Sequence, residues 1–305
     1  MSFHSGFWLS LALLVCGCGG NENGAGKQAD ATAAGCVWLV ESSNGGRLYL
    51  CGTIHLLRPS DYPLPAAYET AYADSDEIIL ELPPGASEAG DLTRRMQQLG
   101  TLDEGEALQE LIPQTDWLRL KEWSRKRGLP PEVMNRFRPW FAALLMVSTE
   151  YQALGARSEQ GVDHHFEKRA ARDGKNGMGL ETVEQQLALF AGMTRKQELE
   201  VLEQTLAEVE SVEAEYENMV SAWRKGDLET LEGLLFREAE RYPELMEAFL
   251  HARNRAWVPE LEKVLQRGGK AMVLVGAGHL GGSQGLIALP RERGHAVRQV
   301  RPAGS

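Results

Sequence analysis

Residues 47–57 read RLYLCGTIHLL. Leu48, Tyr49, Leu50 and Cys51 form a short apolar run, closed off by Asn44, Gly45 and Gly46 on one side and Gly52 on the other, and this predicts a buried strand. His55 follows at once. Its imidazole is therefore expected at the C-terminal end of that strand, the edge where open α/β sheets hold ligands and chemistry. Residues 271–279 repeat the pattern: an apolar run from Ala271 to Val275, then Gly276, Ala277, Gly278 and His279. One histidine at a strand end is most often a satisfied structural residue. Two strands that each close on Gly-x-x-His and a leucine point to a shared site.

A third strand is expected at 77–82 (EIILEL), with Glu81 at its end, where Pro83 and Pro84 stop the ladder. A carboxylate in that position is also a common cap or ion-pair partner. The pattern predicts an α/β fold whose central sheet is built from N- and C-terminal segments. Residues 91–267 are helical in pattern, broken by glycines and prolines, and read as a large helical insertion, a cap, between the two sheet halves. Within it, Thr194 to Trp223 predicts one long amphipathic helix with a Thr194/Gln197 capping box. Its glutamates, from Glu198 to Glu217, are expected on a solvated face.

NGMGL (176–180) reads as a short strand leading to Glu181, and Thr182 and Gln185 make a second capping box. Glu181 thus lies beside a helix N-terminus, which favours negative charge for purely structural reasons. Asp163, in GVDHHF, likewise reads as the N-cap of the next helix. Arg253 and Asn254 follow a helix expected at 244–252. A guanidinium there can hold a carboxylate, and an amide can orient a carbonyl or a carboxylate. His164 and His165 are adjacent and point about 100° apart on a helix, so they do not share one ion.

Two histidines and a carboxylate from three strand ends offer a divalent cation N and O ligands with open positions for water. His55, Glu81 and His279 are accordingly the candidate metal ligands and catalytic residues. Read alone, Asp163, Glu181, Arg253 and Asn254 have structural roles as readily as roles in a site. Gly276, Gly278 and Gly281 also spell Gly-x-Gly-x-x-Gly, but no acidic residue follows about 20 positions on, as a dinucleotide site requires. Gly281, Ser283 and Gly285 spell Gly-x-Ser-x-Gly, yet His279 stands where the nucleophile elbow would place its serine.

GTIHLL, ELPP (81–84), GVD (161–163), GLET (179–182), Arg253-Asn254 and VGAGHLGGSQGL (275–286) together resemble the TraB/GumN family, relatives of the TIKI metalloproteases. The resemblance runs from about Trp38 to Val300. It implies a divalent-metal-dependent hydrolase, a peptidase in the TIKI relatives, using Mn²⁺ or Co²⁺ on a peptide or small-molecule substrate, and it raises Asp163, Glu181, Arg253 and Asn254 to candidate supporting or substrate-binding groups. The sequence leaves two other classes open: a non-catalytic lipoprotein that binds a peptide or small ligand in this cleft, and a serine hydrolase acting through Ser283.

At the start of the chain, Phe7 to Val15 is apolar but far short of the ~20 residues that span a bilayer, and reads as a signal-peptide core. Val15, Cys16, Gly17 and Cys18 resemble a bacterial lipobox, with Cys18 as the acylated residue, although Met1 to Gly6 lacks the usual Lys or Arg. Residues 19–35 are mostly small and polar, as in a flexible tether. The folded part is expected at 36–300, followed by a short tail at 301–305, in an envelope lipoprotein that faces the periplasm from the outer membrane.

The chain has 43 acidic and 32 basic residues and a net charge of −11. That balance argues against nucleic acid as a partner and leaves membrane attachment to acyl chains. Cys36 and Cys51 flank the hairpin VWLVE/RLYL. They could pair across it in an oxidising periplasm or stay as buried thiols; strand register decides.

Overall fold

A computed structural model describes residues 33–86, 90–236 and 241–301. Six strands form one mixed sheet in the order β4-β3-β5-β2-β1-β6. They are β1 (Val37–Glu41), β2 (Arg47–Thr53), β3 (Glu77–Leu80), β4 (Asn176–Gly179), β5 (Lys270–Gly276) and β6 (Ala296–Gln299). The first four in that order are mutually parallel, while β1 runs antiparallel to both β2 and β6. Residues 271–275 of β5 are buried, as a strand covered on both faces by crossover helices must be. Along the edge strand β6 exposed and half-buried residues alternate. One apolar core runs from Cys36 to Val300.

The strands form where short apolar runs meet turn residues. Between β1 and β2, Gly45 adopts φ +89° and its N–H donates to Ser42 O, closing the hairpin over SSNGG. Register settles the cysteines. Cys51 faces Val37, and Gly52 N–H donates to Cys36 O at 2.8 Å, so Cys36 sits opposite Gly52 and the two thiols lie on opposite faces of the hairpin. Both are buried and free, and the pairing considered for them does not form.

Residues 91–267 do not form one insertion. β4 divides them into two crossovers, a helical run from β3 to β4 and another from β4 to β5. The expected helix at 194–223 is two helices, Arg195–Glu208 and Val212–Lys225. Both capping boxes form as read, at Thr182/Gln185 and at Thr194/Gln197. The glutamates are not all solvated: Glu198, Glu208 and Glu215 are buried, and Glu198 pairs with Arg138. No helix among the described residues is long and apolar enough to cross a membrane. The expected signal segment, the lipobox-like stretch with Cys18 and most of the expected tether lie outside the described residues.

Candidate active site

Each of the four parallel strands delivers one ionisable side chain to the same edge. Just beyond β4, β3, β5 and β2 stand Glu181, Glu81, His279 and His55. β3 ends at Leu80, two residues earlier than expected, and its line is continued by backbone bonds from Leu180 N to Leu80 O and from Glu181 N to Glu81 O. Glu81 and Glu181 are thereby held side by side. The C-terminal edge of a parallel sheet is where such groups gather, since strand ends point together there and crossovers leave a crevice.

His55 is half-buried, and its Nδ1 lies 2.9 Å from Asp163 Oδ1. Asp163 is therefore not the helix N-cap. That place belongs to Gly161, and Asp163 sits in the first turn of the Val162–Asp173 helix, turned towards the imidazole. Gly161 must lack a side chain: a Cβ there would come within 2.4 Å of His55 O. Val162 N donates to Ile54 O, fixing the helix start against the end of β2. Burial would lower the His55 pKa, but the Asp163 carboxylate outweighs it, helped by Glu81, and holds the imidazole up at about 9.

The other groups form a buried network around Arg253. Its Nη2 donates to Glu81 Oε2 and to Glu181 Oε1, each at 2.6 Å, and Nε donates to Glu181 Oε2 at 3.0 Å. Nη1 donates to Phe249 O at 2.9 Å and lies 3.0 Å from His279 Nε2. The guanidinium stacks on Trp257, 4.7 Å from the ring centroid. Glu81 Oε1 accepts Gly276 N–H at 2.7 Å. Burial opposes ionisation of Glu81, yet Arg253 and the two histidines hold it down at about 2. Burial raises the pKa of Glu181 despite the same guanidinium.

His279 Nδ1 lies 2.7 Å from Asn254 Oδ1, and Asn254 Nδ2 donates to His279 O and to Gln284 O. Those contacts assign Nδ1 as the protonated nitrogen and leave the lone pair on Nε2, facing Arg253. Burial, reinforced by Arg253, pushes this histidine down to about 3. The two histidines of the repeated motif are therefore pushed in opposite directions by their surroundings. Environments that push two like groups apart are how acid and base roles are divided.

A helix was expected to end before Arg253 and Asn254. Both instead lie inside the Ala252–Gln266 helix, directly after a π-helical segment, Glu247–His251. π-turns of this kind re-aim side chains and are frequent at functional sites. Two residues of the network had no place in the sequence reading. Gln186 donates to Glu181 Oε1 at 3.1 Å, and Trp257 lies four residues after Arg253, a spacing that puts both on one helix face. Ser283 is exposed in the loop after His279, and Gly281 leaves room for Glu232, which takes Gly282 N–H. That loop is no nucleophile elbow.

The donor chemistry suits a divalent cation: imidazoles oriented through Nδ1 by the Asp163 carboxylate or the Asn254 amide, beside the Glu81 carboxylate. The arrangement does not. His279 Nε2 and Glu81 are both engaged by Arg253, and among the described residues no group of three or more His, Cys, Asp and Glu is arranged to hold a metal ion. The expectation of one shared cation is corrected to this extent: His55, Glu81 and His279 converge, but a guanidinium holds two of them.

The TraB/PrgY/gumN family matches residues 36–299. YbaP of Escherichia coli K12, described as an uncharacterized protein, is 26% identical over 243 residues, covering 80% of this chain and 87% of YbaP. Metalloprotease TIKI2 of Danio rerio is 25% identical over 313 residues and metalloprotease TIKI1 of Homo sapiens 24% over 315, covering 83% and 84% of this chain. The chain spans 58% and 60% of the length of those two proteins. No solved structure matches it significantly. Since the match runs from the first strand to the last and takes in all four strand-end residues, the chain belongs to the TraB/PrgY/gumN family.

Proposed function

We propose that the chain is a hydrolase that cleaves a peptide or related carbonyl substrate at the C-terminal edge of its four parallel strands. One observation carries this reading: the bare face of Gly276. A Cβ built there would stand 3.4 Å from Glu81 Oε1, 3.7 Å from His55 Nε2 and 3.7 Å from His279 Cδ2. A reacting atom at that point has an ionised carboxylate on one side and, on another, an imidazole whose orientation and charge are set by Asp163. Glu81 is placed to accept a proton from an attacking water, and His55 to donate one to the leaving group. Arg253 holds Glu81 in position, and Asn254 fixes the ring of His279. The metalloprotease names of the TIKI relatives support the reaction class.

A divalent cation, Mn²⁺ or Co²⁺ by the family resemblance, would take His55, Glu81 and His279 as ligands only after Arg253 leaves, and no step above depends on it. Cys18 is proposed as the lipid anchor in the bacterial envelope, on the strength of the lipobox-like VCGC. A second reading is favoured by the satisfied state of the network: a non-catalytic lipoprotein that binds a peptide in the crevice.

Turnover of a fluorogenic peptide library, with and without Mn²⁺ and after chelation, separates the two. His55→Ala is expected to lower kcat/KM by about 10²–10⁴, and Ser283→Ala to leave it unchanged. Peptide binding with no turnover in any of these conditions would replace the hydrolase reading by the binding one.

A further inference from the structure

We infer that Arg253 is the resident cation of this site, and that a divalent ion reaches His279 only by displacing its guanidinium. An arginine has five N–H groups, and here all five have partners: Glu181 for Nε, Phe249 O and His279 for Nη1, Glu81 and Glu181 for Nη2. Arg253 is buried, as are Glu81, Glu181 and His279, so water competes little for these bonds. The exclusion is strictest at His279. Asn254 holds its Nδ1, so Nε2 carries the single ring lone pair, and that pair already faces Arg253 Nη1 at 3.0 Å. One lone pair cannot both accept this hydrogen bond and ligate a metal. A divalent ion placed there would also stand against a guanidinium across little screening water.

Displacement has a defined route. Glu181 takes Arg253 through two parallel bonds and is itself held by Gln186. A guanidinium that lets go of His279 and Glu81 keeps this forked partner. Cation binding and Arg253 placement are then linked, and linkage is reciprocal: whatever loosens Arg253 tightens the divalent ion. The inference uses the donor set of the proposed hydrolase but concerns occupancy alone, so it is read by binding and can fail without touching the reaction.

The experiment titrates the chelator-stripped full chain with Co²⁺, followed by visible absorption and calorimetry. Arg253→Met, close in length and uncharged, is expected to bind Co²⁺ at least about tenfold tighter than the native chain, within the usual range of such couplings. His279→Ala in the same background should remove the gain. Arg253→Lys keeps a charge but not the fork, and should shift affinity in the same direction by less; it decides the matter if the methionine variant does not fold. Unchanged or weaker Co²⁺ binding in the variants that fold would overturn the inference. So would a native structure with Co²⁺ on His279 Nε2 and Arg253 still in place.

Discussion

A methyl group on Gly276 would meet Glu81, His55 and His279 at 3.4–3.7 Å, ordinary contact distances, and the backbone there has φ −49°, which any residue adopts. Gly276→Ala should therefore fold, with stability unchanged or raised by up to about 1 kcal/mol through reduced chain entropy. Turnover should nonetheless be lost, because the methyl fills the point about which the three groups are arranged. Retained kcat/KM in a variant with a native melting temperature would remove the reacting atom from that face.

Asp163 gives a second residue-scale test. The His55 pKa is raised from 6.5 to about 9, so its pairing stabilises the fold fully below pH 6.5 and loses that contribution as pH rises through about 9. Asp163→Asn should cost about 1.5–3 kcal/mol at pH 6, the range for a hydrogen bond to a charged group, and almost nothing at pH 10. Thermal melts at the two pH values check the difference, and the imidazole proton resonance of His55 should titrate at lower pH in the variant.

At the scale of elements, what could be read in the sequence was what local chemistry determines. Apolar runs bounded by glycine gave β2 and β5, and side chain to backbone bonds gave the two capping boxes. The break at 209–211 could not be read. Leu206, Val209 and Val212 keep helical spacing straight through it, while the Ser211 hydroxyl turns back onto Glu208 O and competes with the helix. Glu198 was misjudged for a long-range reason: its partner Arg138 lies 60 residues away. The site shows the same division. The placing of His55, Glu81 and His279 at one sheet edge could be read from their strands, but the hold of Arg253 on two of them depends on three elements meeting, and no periodicity encodes that. Glu198→Ala would leave the part-buried Arg138 without its main partner, and should cost about 1.5–3 kcal/mol, the range for hydrogen bonds to a charged group. Urea unfolding measures it, and a cost under 1 kcal/mol would mean that Arg138 is solvated instead.

Over the whole molecule, the four parallel strands carry the candidate site, and the two antiparallel strands, β1 and β6, lie at the two ends of the described fold. β1 and β6 pair with each other, and their outer ends are tied to the helices. Gly35 N donates to Arg224 O at 2.9 Å, and Gln299 Nε2 donates to Gly35 O and to Gly226 O. Gly226 has no side chain to block this, since a Cβ there would come within 2.2 Å of Gly35 O. Cys36 is fully buried, and its carbonyl takes Gly52 N–H.

Gly35 therefore belongs to the fold, one residue before the start expected at Cys36. A chain that begins at Ala33 should keep the melting temperature of the full protein and, freed of the proposed anchor, its kcat/KM. A chain that begins at Val37 loses Gly35 and Cys36 and strands Gly52 N–H. A buried group left unsatisfied costs about 1–3 kcal/mol, so this form should be less stable by at least about 1 kcal/mol. Because Gly52 lies on the strand that delivers His55, the loss should also reach the site and lower kcat in the population that remains folded. Equal stability of the two truncations would place the boundary inside β1, and a stability loss with unchanged kcat would show that the hairpin end and the site are not mechanically joined.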